Sequence, residues 1–362
     1  MSYAKRIPSL DGLRGIAAIA VTLFHFSIFF LPQAHLSDML PFLGHAYLAV
    51  DLFFMLSGFV IAHVYGRLLA SNWRAHWMQF AIARFARIYP LFALTTLAMV
   101  ITVVLSGTPL KFVSFSDGSL VLQPVLLQQW YGGGLSWNYP SWSISTEAEA
   151  YVFFVFSAGL LVTGKYPQLM AACCVAILAS LSIAHGGSLN FVQGVPALVR
   201  TLSEFSIGAL IYRAHSGGAA LLIKRAGILT ILFMGLAIIT RQDFFTVGAF
   251  GCLIFYGVNT TGVAGRLLNS RPAVALGNWS YSIYLSHAPT HYAVMVAFAA
   301  SGHPINDLSS ANARLLVLAT ALGVVAMAAV SYEYFETPAR RLLMGAIMKA
   351  SPHMRPISRA QT

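Results

Sequence analysis

Long apolar segments recur along the whole chain, and only short polar stretches separate them. Hydrophobic residues make up 58% of the 362 residues, charged residues make up only 9%, and the mean hydropathy is +0.73. Soluble globular proteins carry roughly a quarter charged residues, so this composition excludes a chain of packed soluble domains. Helical apolar runs of about twenty residues match the hydrocarbon core of a bilayer. The sequence therefore predicts an all-α, polytopic integral membrane protein.

Windows of about twenty residues divide the chain into about ten transmembrane helices. The predicted spans are 13–31, 46–66, 85–106, 145–163, 168–185, 197–213, 226–240, 244–258, 273–298 and 314–335. Basic residues collect in cytoplasmic loops, so the 22 lysines and arginines test this division. With both termini cytoplasmic, the basic loop residues fall on the inner side except for Lys111, Arg241 and Arg314. The pair Arg340 and Arg341 is then an anchor at the inner surface.

The net charge of +11 has the same explanation, since basic loops bind the cytoplasmic face of a membrane. We therefore expect membrane lipids as partners and no nucleic acid, and the sequence leaves the oligomeric state open. Cys173, Cys174 and Cys252 lie in apolar stretches without metal-ligand spacing, so we expect no metal. We expect one transmembrane domain, residues 1–341, followed by a basic cytoplasmic tail, residues 342–362.

Two ionisable residues share one face of the first predicted span. Arg14 and His25 are eleven residues apart, which is three helical turns plus about 20°, or roughly 16 Å along the axis. Ionisable side chains are costly inside a membrane and by default indicate function. The spacing therefore indicates a functional face with a permanent cation at one end and a titratable imidazole at the other.

Five segments carry further motifs. In chain order they are RIPSLDGLRGIAAIAVTLFHF, VDLFFMLSGFVI, RFARIYPLF, SWSISTEAEAY and GNWSYSIYLSHAP. In this order they resemble the membrane-bound acyltransferase-3 family, which includes bacterial O-antigen, exopolysaccharide, peptidoglycan and Nod-factor acetylases, over residues 7–341. The resemblance implies about ten helices in a bacterial inner membrane. It also implies acyl-CoA, with acetyl-CoA expected, as a cytoplasmic donor, and a glycan or glycolipid acceptor on the other side.

The family's Arg/Lys-x10-His signature falls on Arg14 and His25. Transfer of an acyl group to a hydroxyl requires removal of the hydroxyl proton, and neutral imidazole is the usual base, so His25 is the expected catalytic base. Arg84 and Arg87 match the family's RxxR pattern, and the i, i+3 spacing makes a fork suited to phosphates. We expect both to bind the donor together with Arg14. The alternative for Arg84 and Arg87 is membrane anchoring.

Two carboxylates complete the expected catalytic set. Asp51 lies inside the second span, where it could orient His25, pair with an arginine or hold the acceptor hydroxyl. Glu147 matches a family glutamate, and Tyr151 shares its helix face. Glu147 could bind acceptor hydroxyls or steer a proton, and a helix cap is the alternative.

Aromatic residues and a second histidine are the expected substrate-binding groups, namely Trp142, Tyr151, Tyr284 and His287. Trp142 ends the long connection 107–144, whose tryptophans and glycines suit either an aromatic belt or a loop over a sugar. Tyr284 lies three residues before His287, so both can meet on one face. His291 could join His287 as a metal ligand, but a histidine pair without a carboxylate is weak support.

The sequence therefore predicts a membrane O-acyltransferase with His25 as general base. The acyl group could pass directly to the hydroxyl or through an acylated His25, and direct transfer is simpler. Two alternatives remain at this point. One is a transporter or glycan flippase that uses an intramembrane His, Asp and Arg relay. The other is acylation of a secreted small molecule, such as a macrolide or lipid.

Overall fold

The computed structural model describes residues 6–31, 41–107, 117–131, 135, 137–218, 220–303 and 305–350. Regular structure in these residues is almost entirely helical, as predicted. The α-helices are α1 Pro8–Phe30, α2 Ala49–Ile61, α3 Arg67–Ser106, α4 Asp117–Leu122, α5 Trp142–Ala158, α6 Pro167–Ala184, α7 Gly194–Ser216, α8 Ala220–Thr240, α9 Asp243–Asn259, α10 Val263–Leu268, α11 Arg271–Ala300, α12 Ser310–Ser331 and α13 Thr337–Ala350.

Short turns connect or extend several of these helices. The 3₁₀ turn Pro41–Leu48 leads into α2, and the wider turn Ala62–Gly66 joins α2 to α3 without a loop. Similar wide turns extend α5 through Gly159–Thr163 and join α12 to α13 through Tyr332–Glu336. The helical backbone of α3 is interrupted at Asn72, which has φ −159° and ψ 84°.

Each of the ten predicted spans falls on helix, but the structure supports membrane crossing for fewer segments. Six segments within the described residues are long and apolar enough to cross a membrane, namely Pro8–Phe30, Gly44–Ser106, Tyr139–Thr163, Pro167–Ala184, Gly194–Ser216 and Ser310–Ile347. The helix α11 is 30 residues long, but polar residues such as Asn278, Ser280 and His287 lie along it. The number ten and the cytoplasmic termini therefore remain predictions. The expected tail starts inside α13, and residues 351–362 lie outside the described part.

Glycines allow α2 and α7 to touch backbone to backbone. A β-carbon added at Gly58 would lie 1.9 Å from the carbonyl oxygen of Phe205, and one added at Gly208 would lie 2.0 Å from that of Met55. Small residues permit this close approach between membrane helices. Gly58 thus serves helix packing, because no larger side chain fits at this crossing.

Close glycine contacts of the same kind join α1 to α11. A β-carbon at Gly277 would lie 2.1 Å from the carbonyl oxygen of Asp11, and one at Gly15 would lie 2.8 Å from the backbone nitrogen of Gly277. Gly15, the second glycine of the LDGLRG segment, therefore allows α1 to pack directly against α11. This contact brings Arg14 and Tyr281 to the wall of one cavity.

Replacing Gly208 by alanine should separate α2 from α7. Overpacking of this kind costs about 1–3 kcal/mol, so Gly208→Ala should lower the midpoint of thermal unfolding in detergent. Gly323→Ala is the matched control, because a β-carbon there meets nothing within 4 Å. An unfolding midpoint of Gly208→Ala equal to that of Gly323→Ala would contradict the close crossing.

Candidate active site

A cavity of about 300 Å³ lies among α1, α2, α3, α5 and α11 and extends to the segment after α12. Of the described residues, five arginines line it, against two carboxylates, Asp11 and Glu147. The arginines are Arg6, Arg14, Arg84, Arg87 and Arg340. The cavity therefore has a surplus of positive charge and brings together the three arginines that the sequence assigns to the donor.

Asp11 neutralises part of this charge at the start of α1. Its Oδ2 accepts from Nε of Arg6 at 2.7 Å, and its Oδ1 lies 3.3 Å from Nη1 of Arg14. The side chain of Arg6 is half exposed, whereas that of Arg14 is more enclosed. One carboxylate thus serves two guanidinium groups, which leaves donors of both groups available to an anion.

The RxxR pair in α3 faces the same cavity from the opposite helix. Arg84 donates to the hydroxyl of Tyr65 at 3.3 Å, and its Nε is buried without a hydrogen-bond partner among the described residues. Arg87 forms an ion pair with Glu336, and its guanidinium lies 5.0 Å from the ring centre of Tyr281. Aromatic faces and one buried carboxylate therefore hold both forks towards the cavity.

Glu147 forms a hydrogen-bonded group with its neighbours at the cavity wall. Its Oε1 accepts from the hydroxyl of Tyr151 at 2.6 Å and from Oγ of Ser57 at 2.7 Å. Glu147 and Tyr151 thus share a helix face, as predicted. Because both bonds are donated to the carboxylate, Glu147 is held as an acceptor and does not cap a backbone.

His25 lies apart from the cavity, in a cluster of rings. Its Nδ1 is 2.9 Å from the carbonyl oxygen of Val21. A carbonyl oxygen only accepts hydrogen bonds, so Nδ1 carries the proton and Nε2 keeps its lone pair. The ring stacks on His287 at 4.9 Å between centres and lies 5.2 Å from the ring of Tyr139. The imidazole is therefore in the tautomer that a base at Nε2 requires.

Tyr284 connects the two parts of the site. It lines the cavity, and its ring centre is 5.7 Å from that of His287. Its hydroxyl donates to the carbonyl oxygen of Pro140 at 2.9 Å and lies 2.8 Å from Oγ of Ser143. A single aromatic side chain thus lies between the arginine-lined cavity and the His25–His287 pair.

His291 extends this cluster without providing a metal site. Its ring stacks on Phe29 at 3.9 Å between centres, and neither ring nitrogen has a hydrogen-bond partner among the described residues. In that part of the chain, no group of three or more histidine, cysteine, aspartate or glutamate side chains could hold a metal ion. The run Gly132–Gly133–Gly134 of the connection 107–144 lies outside the described residues.

Asp51 and Trp142 lie together in a different, fully packed region. Asp51 accepts two hydrogen bonds from Arg200, one from Nε at 2.9 Å and one from Nη2. The guanidinium of Arg200 lies 5.6 Å from the ring centre of Trp142. Oε1 of Glu204 lies 3.6 Å from Nε of Arg200. Of the three expected roles of Asp51, the structure contains the pairing with an arginine. Neither Asp51 nor Trp142 is among the described residues that line the cavity.

Several charged residues were not among the sequence candidates for the site, namely Arg6, Asp11, Arg340 and Glu336 at the cavity and Arg200 and Glu204 beside Asp51. Glu204 lies four residues after Arg200 and so shares its helix face, a spacing that could have indicated the buried group. Arg340 was interpreted only as an anchor, and its position at the cavity has no counterpart in a sequence motif. Arg200 and Glu336 were missed because their partners, Asp51 and Arg87, lie on distant helices.

The fold and the cavity define a helical protein of membrane character with an arginine-rich pocket beside a histidine pair. The acyltransferase-3 family model, described as an acyltransferase domain, matches residues 7–333. The chain therefore belongs to the acyltransferase-3 family and is an acyltransferase.

Individual relatives agree with this family. Acyltransferase MdmB of Streptomyces mycarofaciens is 30% identical over 370 residues, which cover 93% of this chain and 92% of MdmB. O-acetyltransferase OatA of Staphylococcus aureus is 22% identical over 378 residues, which cover 94% of this chain but 58% of OatA. Protein 2 in the picA locus of Rhizobium radiobacter is 43% identical over 98 residues, or 27% of this chain. No solved structure matches the chain.

Replacing Arg200 by methionine should leave Asp51 buried without its cation. Breaking a buried pair in this way costs about 3–5 kcal/mol, so Arg200→Met should unfold at a much lower temperature in detergent. Adding Asp51→Asn should restore part of the lost stability, because it removes the stranded charge. A double variant no more stable than Arg200→Met would contradict the pairing as the reason for the loss.

Proposed function

We propose that this protein is a multi-pass O-acyltransferase of the bacterial inner membrane. It transfers an acyl group, with acetyl expected, from cytoplasmic acyl-CoA to a hydroxyl of an extracytoplasmic glycan or glycolipid. The observation that carries the proposal is the arrangement of two compartments around Tyr284. On one side lies a cavity rich in arginine, and on the other lies a histidine whose Nε2 has a free lone pair.

The cavity suits the phosphate end of the donor. Arg14, Arg84 and Arg87 reach it from two helices and offer forked donors that match phosphate oxygens. Coenzyme A combines several phosphates with a neutral thioester at the end of a long arm. With the phosphates at the arginines, the arm extends past Tyr284 to reach His25, which lies roughly 16 Å from Arg14 along α1.

His25 then acts as the general base. Its Nε2 takes the proton of the acceptor hydroxyl while the oxygen attacks the thioester carbonyl carbon. The carbon–sulfur bond breaks, and the CoA thiolate receives the proton from His25, so the imidazole returns to its neutral form. The Val21 carbonyl holds the ring with Nδ1 protonated throughout. Direct transfer needs no further nucleophile.

The acceptor reaches His25 beside Tyr139 and His287, whose rings lie next to the imidazole. Tyr139 belongs to the long connection 107–144, which we predict to lie on the outer side. A glycan or glycolipid hydroxyl fits this position, and a secreted small molecule is the second acceptor class. Membership of an acyltransferase family favours both over transport of an unmodified substrate.

His25→Ala should remove the base while the protein still folds. General base catalysis is worth about 10²–10⁴-fold in rate, so acyl transfer from labelled acetyl-CoA should fall by at least that lower factor. His185→Ala is the matched control, because the Nδ1 of His185 makes the same bond to a carbonyl oxygen four residues earlier. Mass spectrometry of the cell's surface glycans gives the product, and size-exclusion chromatography gives the amount folded. Full activity of His25→Ala would refute the base.

Arg84→Ala combined with Arg87→Ala should weaken donor binding and leave chemistry intact. Each lost charge-assisted contact is worth about 1.5–3 kcal/mol, so the KM for acetyl-CoA should rise at least tenfold with little change in kcat. Arg67→Ala combined with Arg74→Ala removes the same charge from exposed positions of the same helix. Equal KM values for the two double variants would contradict donor binding by Arg84 and Arg87 and would favour membrane anchoring as their role.

A further inference from the structure

The C-terminal helix α13 places one arginine in the donor cavity. Arg340 lies in the first turn of α13 and lines the cavity, whereas the next residue, Arg341, is exposed. Both residues follow residue 333, where the match to the family model ends. The arginine pair that the sequence presents as one anchor is therefore divided between two environments.

A buried carboxylate fixes the segment that carries Arg340. Glu336, four residues earlier, pairs with Arg87 and accepts a hydrogen bond from Oγ of Ser282 at 2.7 Å. The side chain of Glu336 is only 4% exposed, so both of its contacts are made in a packed environment. The segment is thereby attached to α3 and α11 at once, and Arg340 is carried to the cavity wall.

Arg340 adds to a local surplus of positive charge. Arg84 and Arg87 both act on it electrostatically, so three guanidinium groups repel one another at this wall. Glu336 is the carboxylate paired with Arg87, and Glu147 lines the cavity from α5. Like charges in an enclosed site of low dielectric are costly unless an anion is bound between them. The wall therefore suits an anion with more than one charge.

We propose that Arg340 binds a phosphate group of the donor, so that α13 is part of the donor site. This inference rests on the proposed function, because it names a further ligand for the same acyl-CoA. Arg340 supplies a forked donor next to Arg84 and Arg87, and the three groups together enclose the phosphate. The same chemistry could come from the headgroup of an anionic lipid, so the test includes both sources.

The test compares Arg340→Gln with Arg341→Gln in nanodiscs of phosphatidylcholine. We expect Arg340→Gln to weaken CoA binding about tenfold, as loss of a charge-assisted contact predicts. It should also raise the KM for acetyl-CoA with little change in kcat. Arg341→Gln should match the wild type in both measurements, and Arg340→Lys should recover most of the affinity. Equal CoA affinity of Arg340→Gln and wild type would overturn the assignment.

Two further measurements separate donor binding from other roles. Acetyl-pantetheine carries no phosphate, so its turnover should be the same in wild type and Arg340→Gln, and a loss there would indicate a structural role and overturn the proposal. Nanodiscs with phosphatidylglycerol test the lipid: a loss of CoA affinity in wild type but not in Arg340→Gln would assign Arg340 to the headgroup instead. If wild type binds no CoA in either membrane, the proposed function itself fails.

Discussion

The ion pair between Asp51 and Arg200 is the interaction on which the arrangement of the site depends. Both side chains are fully buried, and a charge in that environment is tolerated only with a well-placed partner. The two hydrogen bonds of the pair allow little rotation of α2 about its own axis. At the same interface the glycine contacts hold the two backbones together. Rotation and distance of α2 relative to α7 are therefore both fixed.

This fixed rotation decides what α2 presents to the cavity. Ser57 follows Asp51 by six residues, so it projects about 120° away from the ion pair. That direction leads to Glu147 on α5, which accepts its hydrogen bond. The cavity wall is thus built from a different face of the helix that carries the ion pair. Asp51 itself does not line the cavity and supports the site through the position of α2.

Sequence reasoning succeeded where helical periodicity and motifs act within one segment, and it failed where distant helices meet. The shared face of Glu147 and Tyr151 follows from a spacing of four, and the structure contains their bond. The partner of Asp51 could not be predicted, because Arg200 is 149 positions away and no periodicity connects them. Likewise, nothing local distinguishes Arg340 from its neighbour. The number of membrane crossings is also not established, because polar residues lower the mean hydropathy of the long helix α11.

The division of the site into two compartments suits a donor with a charged end and a neutral reactive end. Phosphates cannot enter an apolar interior without paired cations, so they stay where the arginines are. The acyl-bearing arm carries no charge and can pass an aromatic side chain such as Tyr284. His25 lies among aromatic rings, apart from the guanidinium groups that line the cavity. In the proposed reaction, a single mixed pocket would place guanidinium groups beside an imidazole that has to accept a proton, which is unfavourable. Separation by Tyr284 would instead keep the phosphates of the proposed donor at the arginines and bring its neutral thioester to His25.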